Sequence, residues 1–286
     1  MTRRDLLHRT RRVLEAAGVD EAQRTAEWIV EHVTGLSRVQ RIASPHVEVR
    51  APEAAHAERL AARRAAGEPV QYVLGEAAFR SLTLDVSPAV LVPRPETEEV
   101  VDAALACVRE QPAPWVLDVG TGSGAIALAV RHERPDAQVF AVDVSADALA
   151  VAQRSAARLG LSVSFVQADV LRTAFADGVP PVFDLVVSNP PYVPDAERAT
   201  LQPEVWHEPE VALFVPDSDP LRFYRALAGH ADALLKPGGW LVAETHADHG
   251  GAVAALFEDL GLAGAEIRRD LAGRERIAVA RKPPGA

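Results

Sequence analysis

The chain predicts an α/β fold built on a parallel sheet, preceded by a small all-helical region. Three observations lead there. From Trp115 onward, short apolar runs alternate with helical patterns, which requires parallel strands covered on both faces. Before that point the apolar residues recur at helical spacing. The 286 residues, 48% of them hydrophobic, are ample for one large domain or for one of ordinary size plus a small one.

In the first region Leu6, Leu7, Val13 and Leu14 recur at near-helical spacing before Gly18, and Ala26, Trp28, Ile29, Val30 and Val33 do so before Gly35. Asp20 is the expected N-cap of the second helix. A third helix follows Pro52 and stops at Gly67-Glu68-Pro69, since glycine ends helices and proline cannot continue them. Residues 82–86 and 90–92, separated by Ser87-Pro88-Ala89, form an expected hairpin. The expected domains are a helical one over 1–75, a hairpin linker over 76–96 and a catalytic domain over 97–286. Pro93-Arg94-Pro95-Glu96-Thr97-Glu98 is expected to cap a helix beginning near Thr97 and to bring charge to the mouth of a site.

The expected sheet strands are 115–119, 139–143, 163–167, 185–188 and 240–244, with 265–269 and 276–280 as an antiparallel edge pair. Trp115-Val116-Leu117-Asp118-Val119 runs into Gly120-Thr121-Gly122-Ser123-Gly124. Glycines there permit a sharp turn and let backbone N–H groups approach a nucleotide-like cofactor. The same spacing, Gly120-x-Gly122-x-x-Ala125, also fits a dinucleotide fingerprint, so a nicotinamide enzyme is a competing reading. Asp143 ends the second strand about 20 residues beyond the glycine turn, where a carboxylate accepts hydrogen bonds from both ribose hydroxyls. Asp169 ends the third strand beside Val170 and suits the exocyclic amine of adenine; an exposed loop acid is the equal alternative.

The fourth strand closes on Asn189-Pro190-Pro191-Tyr192. An amide nitrogen is a poor nucleophile because its lone pair is delocalised into the carbonyl, so a catalyst must grip the NH2 group and aim the lone pair. Asn189 Oδ1 and the Pro190 carbonyl offer two acceptors, the two prolines fix the carbonyl direction, and Tyr192 is expected to lie flat against the substrate. Together with the glycine turn, this points to methyl transfer onto an amide or amino nitrogen. His207-Glu208-Pro209-Glu210 reads as a solvated loop and not a metal site, because the other histidines lack ligand spacing. Trp206, Phe214 and Tyr224 either roof the pocket or pack.

A formal charge of -10 argues against a protein that lives on the phosphate backbone. Cys107 is the single cysteine, so no disulfide framework or cysteine metal cluster forms within one chain, and a reducing cytoplasm fits. There is no run of about 18 apolar residues and no apolar signal core, so neither export nor membrane spanning is expected.

These residues resemble the bacterial peptide chain release factor N(5)-glutamine methyltransferases, the PrmC/HemK family, over nearly the whole chain. The likeness is carried by Gly67-Glu68-Pro69-Val70-Gln71-Tyr72 with Phe79, by Leu91-Val92-Pro93-Arg94-Pro95-Glu96-Thr97-Glu98, by the glycine turn and by Asn189-Pro190-Pro191-Tyr192. Glu208-Pro209, Lys236-Pro237-Gly238-Gly239 and Asp270-Leu271-Ala272-Gly273 follow in family order. The resemblance implies a class I S-adenosylmethionine-dependent methyltransferase, with a Rossmann-like, seven-stranded, mostly parallel sheet behind a helical domain that docks a protein substrate. It implies transfer to the glutamine of the Gly-Gly-Gln loop of class-one translation release factors, with S-adenosylhomocysteine as product and no metal. Asp118, Gly120, Thr121, Gly122, Ser123, Gly124, Asp143, Asp169, Val170 and Asn189 would hold the cofactor. Asn189, Pro190, Pro191 and Tyr192 would hold the substrate, and a monomer without stable nucleic-acid binding is expected. Two stretches depart from the family pattern, Thr245-His246-Ala247-Asp248-His249 after Glu244 and Asp217-Ser218-Asp219-Pro220; both are expected outside the chemical centre. The rival enzyme is an adenine-N6 nucleic-acid methyltransferase, which shares the Asn-Pro-Pro-Tyr motif but must also extrude a base. A nonenzymatic cofactor-sensing module would show a broken clamp or a filled pocket.

Overall fold

The computed structural model describes residues 1–180 and 183–285. The chain divides into two compact units, Met1–Glu76 with Gln202–His207, and Ala77–Leu201 with Glu208–Ala286. Among the described residues no helix is long and apolar enough to cross a membrane.

The first unit is helical: α1 (Arg3–Ala16), α2 (Ala22–Thr34), α3 (Arg38–Ala43), α4 (Ala51–Ala65) and α5 (Val70–Leu74). A capping box starts α1, with Thr2 Oγ1 accepting from Asp5 N and Asp5 Oδ2 accepting from Thr2 N. The predicted apolar positions Leu6, Leu14, Ala26, Ile29 and Val30 form its core with Ala57 and Leu60 of α4. Asp20 does not cap α2. Glu21 holds that position in a left-handed conformation, φ 53°, and makes no side-chain cap bond. A capping side chain needs an extended backbone to aim at the first free N–H groups, and this turn denies it. The short helix α3 escapes the pattern because its Val39 and Ile42 face solvent. It is held instead by buried Arg41, which pairs with Glu27 at 3.1 Å and Glu31 at 3.0 Å.

In the second unit β1 (Glu76–Phe79) and β2 (Leu82–Asp85) make the hairpin. The expected pairing of 82–86 with 90–92 is therefore corrected. Val90 and Val92 are buried in alternation, as a strand would be. What meets the Val92 N–H, however, is the carboxylate of Glu208 at 3.1 Å and not a neighbouring strand. The following helix, α6 (Pro95–Cys107), begins at Pro95, whose missing N–H is not needed in the first turn, so Thr97 lies inside the helix instead of ahead of it.

The main sheet takes β3 (Trp115–Val119), β4 (Gln138–Asp143), β5 (Ser164–Gln167), β6 (Phe183–Ser188), β9 (Leu235–Glu244), β10 (Ala263–Arg269) and β11 (Glu275–Arg281), in the order β10-β11-β9-β6-β3-β4-β5. The pairings from β5 to β9 are parallel, and β11 runs antiparallel to both of its neighbours. The two late segments thus pair as expected, but only β10 is an edge; β11 is inserted between it and β9. Helices α7 (Ala125–Glu133), α8 (Ala146–Leu159), α9 (Arg222–Leu234) and α10 (Gly250–Asp259) complete the layers, with a short parallel pair, β7 (Val193–Pro194) and β8 (Phe214–Val215), beside them. Along β3, Val116 joins a core with Val100, Ile126 and Leu128, while Leu117 and Val119 join a second core with Tyr224, Leu227 and Phe257. Both faces are covered, which is why these strands read as unbroken apolar runs.

From the central strand β3 the chain runs outward through β4 and β5, then returns to β6 on the other side. The reversal opens a crevice at the carboxyl ends of β3 and β6, the place where open parallel sheets bind ligands. Val119 leads there into Gly120, and Ser188 into Asn189.

Candidate active site

A cleft open to solvent lies at that crevice, lined by residues that follow β3, β4, β5 and β6. Its floor is the turn after β3. Gly122 has φ +54°, and a Cβ added there would meet nothing within 4 Å, so backbone conformation alone asks for glycine. At Gly124, φ +83°, a Cβ would also stand 3.0 Å from Leu128 Cδ1 and 3.1 Å from Ala152 Cβ. The turn is tied down from behind: Gly120 N and Thr121 N donate to Val142 O at 2.9 and 3.0 Å, and Gly122 N to Asp143 Oδ2 at 2.9 Å.

Asp118, expected from the sequence to touch a cofactor, has another task. It is 1% exposed, absent from the cleft lining, and accepts from Thr121 Oγ1 at 2.6 Å and Ala127 N at 3.1 Å, bracing the turn from beneath. Burial pushes its carboxyl up to about 7. Gly124 likewise lies behind the lining, whereas Gly120, Thr121, Gly122 and Ser123 face the cleft. Asp143 and Asp169, at the ends of β4 and β5, both line it, as does Val170. Asp143 accepts from Ser145 N as well as Gly122 N, and burial raises its carboxyl above the ordinary value. Ser145, as expected, caps α8 by accepting from Ala148 N.

Asn189, Pro190 and Pro191 line the cleft opposite the turn. Ser188 Oγ donates to Val119 O at 2.7 Å, fixing the end of β6 to the end of β3. Asn189 Nδ2 donates to Thr97 Oγ1 at 3.0 Å, and no hydrogen bond within the described residues engages its Oδ1. Tyr192 departs from expectation. It packs against the second core and lies outside the cleft lining, its hydroxyl donating to Glu244 Oε1 at 3.0 Å. Burial, with the Glu244 carboxylate adjacent, raises that hydroxyl well above the ordinary tyrosine value.

Sequence reasoning missed three side chains. Thr97 lines the cleft and donates to Glu244 Oε2 at 2.7 Å. Glu244, 1% exposed at the end of β9, lies behind the lining and meets the cleft through Thr97, and His246, in the stretch that follows, packs its ring edge-on to Tyr192 at 6.1 Å. Glu208 is buried, not part of a solvated loop, and holds the Val92 N–H and the Arg94 guanidinium. The signal for Glu244 is its position: like Asp143 and Asn189, it is a polar residue at the carboxyl end of an apolar strand. Of the three aromatics left open, Tyr224 is fully buried with its hydroxyl on Glu244 O, and Phe214 stacks under Arg198 at 3.9 Å. Neither they nor Trp206 line the cleft, but Phe223 and Leu227 do. No cluster of metal-ligating side chains occurs among the described residues.

The cleft therefore offers two carboxylates on adjacent strands, the closely approachable backbone of a glycine turn, apolar walls from Ile126, Phe223 and Leu227, and a carboxamide with a free acceptor. That set suits an elongated ligand carrying hydroxyls and a planar base, next to a second molecule presenting an N–H donor.

Residues 5–75 match the family model of the PrmC N-terminal domain, and residues 100–208 that of the methyltransferase small domain. A release factor glutamine methyltransferase from Deinococcus radiodurans is 41% identical over 285 residues, covering 100% of both chains. Another from Chlorobaculum tepidum is 44% identical over 248 residues, 84% of this chain and 83% of that one. Among solved structures, a methyltransferase from Pyrococcus furiosus aligns with a TM-score of 0.53 at 17% identity, covering 72% of this chain and 91% of that one, a likeness of fold.

Proposed function

Because the chain belongs to the release factor glutamine methyltransferase family, we propose that it transfers a methyl group from S-adenosylmethionine to the side-chain amide nitrogen of the Gly-Gly-Gln glutamine in class-one translation release factors. The observation that carries this reading is the polarity of Asn189. Its NH2 is committed inward to Thr97, which leaves Oδ1 at the cleft as an acceptor for a substrate N–H. The Pro190 carbonyl supplies the second acceptor. Both N–H bonds of a primary amide are then occupied in the plane of the group, and its lone pair stands out of that plane.

The residues of the cleft fit the methyl donor. The Asp143 carboxylate keeps lone pairs for the ribose hydroxyls even with Gly122 N and Ser145 N bound, because each oxygen accepts more than once. Asp169 and the Val170 backbone would take the adenine edge, and the backbone of the 120–123 turn would border the amino-acid end. When bound, S-adenosylmethionine supplies a methyl carbon made electrophilic by a positively charged sulfur. The chain's own contribution is to hold the acceptor nitrogen in line with that carbon and to keep the cleft wall apolar with Phe223, Leu227 and Ile126. The surplus proton of the alkylated amide passes to water.

In this reading the helical unit, whose residues 5–75 match the PrmC N-terminal domain, docks the release factor, and the enzyme acts in the cytoplasm as a monomer. A formal charge of -10 weighs against the same clamp serving adenine in a nucleic acid. The test is incubation with methyl-labelled S-adenosylmethionine and either a purified class-one release factor or DNA, followed by peptide mass analysis. Label on the Gly-Gly-Gln glutamine is expected; label in DNA alone would replace this function with the adenine-directed one.

A further inference from the structure

Asn189 works as a clamp only with its carbonyl oxygen outward, yet the two ends of a carboxamide are nearly the same shape, so packing alone does not choose between them. Proton count does. Glu244 at the end of β9 is buried, and its two oxygens each receive one hydroxyl: Oε2 from Thr97 at 2.7 Å and Oε1 from Tyr192 at 3.0 Å. Both hydroxyls donate, so the Glu244 carboxyl serves here only as an acceptor. The single proton of Thr97 is therefore spent on Glu244, and all that its oxygen has left to offer Asn189 is a lone pair. Only the NH2 end of the carboxamide can satisfy that lone pair, at the observed 3.0 Å.

Resting on the reading of Asn189 as the substrate clamp, we propose that Thr97 and Glu244 are positioning residues: Glu244 fixes the proton of Thr97, and Thr97 in turn fixes Asn189 with its NH2 inward and Oδ1 toward the substrate. Three elements converge on this chain of hydrogen bonds, the first turn of α6, the end of β6 and the end of β9, with Thr97 and Glu244 separated by 147 positions in sequence. The same carboxyl group anchors Tyr192, so one buried side chain orients two residues of the Asn-Pro-Pro-Tyr segment.

The proposal separates hydrogen bonding from shape at one position. Thr97→Val keeps the volume and removes the hydroxyl; Thr97→Ser keeps the hydroxyl and removes a methyl. Turnover on a purified class-one release factor is expected to fall roughly 10- to 100-fold in the valine variant, as misorientation of a reacting group does. The Kd for S-adenosylmethionine, measured by calorimetry, should stay within about threefold, and the serine variant should recover most of the turnover. A second readout is independent of turnover: the side-chain NH2 of Asn189, followed by 15N NMR, should exchange slowly in the wild type and the serine variant and rapidly in the valine variant. Equal turnover in the valine and wild-type proteins overturns the proposal, and so does a serine variant as impaired as the valine one. Should the wild type itself leave the release factor unlabelled, the functional reading fails and the exchange comparison alone decides the positioning role.

Discussion

Asn189 carries a donor and an acceptor on one rigid plane, and the site uses both, one facing Thr97 and one facing the cleft. Removing the carboxamide should therefore damage transfer far more than cofactor binding. Asn189→Ala is expected to lower methylation of the release factor by roughly 100- to 1,000-fold, on the scale of losing a preorganised hydrogen-bonding group, while S-adenosylmethionine still binds in a calorimetric titration. Asn189→Asp should fare no better. A carboxylate keeps the outward acceptor but turns a second acceptor toward Thr97, whose only proton already points at Glu244. Asp143 supports the opposite split. It holds Gly122 N and Ser145 N at 2.9 Å each and borders the cleft, so Asp143→Ala should weaken cofactor affinity by roughly 10- to 100-fold, the loss of charged hydrogen bonds, with a smaller effect on turnover at saturating cofactor. A titration showing unchanged affinity would remove Asp143 from the binding site.

The glycine turn behaves as an element because its residues need glycine for different reasons. Gly124 combines a left-handed φ with contacts that leave no room for a methyl group, whereas Gly160, which ends α8 at φ +66°, has nothing within 4 Å. Gly160→Ala should cost about 1 kcal/mol from backbone strain alone, and Gly124→Ala about 2–4 kcal/mol, strain and overpacking together. Urea unfolding midpoints at an unchanged m-value measure the difference, and equal costs would remove the packing role of Gly124. The same distinction between local and distant causes explains what is legible in the sequence. Strands such as β3 and β6 announce themselves because their apolar runs, burial on both faces and terminal Gly120 and Asn189 are all local facts. The contacts that escape a reading of the sequence are those between distant segments: Glu208 replacing a strand partner for Val92, and Glu244 taking the proton of Thr97. Tyr192 leaves its expected place for the same reason, since its neighbour in sequence is Pro191 but its hydroxyl belongs to β9. Capping of α2 by Asp20 fails on a single backbone dihedral, that of Glu21, which no side-chain pattern encodes.

For the molecule as a whole, the braces beneath the cleft set how stability responds to pH. Three carboxyls, Asp118, Asp143 and Glu244, are raised above their ordinary values, each chiefly by burial. Folding therefore binds protons that the unfolded chain releases. For Asp118 the unfolded value is 3.8 and the folded one about 7, so its contribution is fully present below 3.8 and is lost as pH rises through 7. Asp136 acts in the other direction: Arg134 and the Ala113 N–H hold it below its ordinary value, and its contribution is lost only as pH falls beneath 3.8. Between pH 4 and pH 8 the raised group dominates, and a formal charge that reaches -10 near neutrality adds self-repulsion in the same sense. Ligand-free protein should accordingly unfold at a lower temperature at pH 8 than at pH 5 at constant ionic strength. Asp118→Asn keeps an acceptor for Thr121 and Ala127 but cannot ionise, so whatever its absolute stability, the decline from pH 5 to pH 8 should shrink by on the order of 3 kcal/mol. The comparison is a pair of denaturation curves at each pH for each protein; parallel declines in wild type and variant would mean that Asp118 does not change protonation in that range.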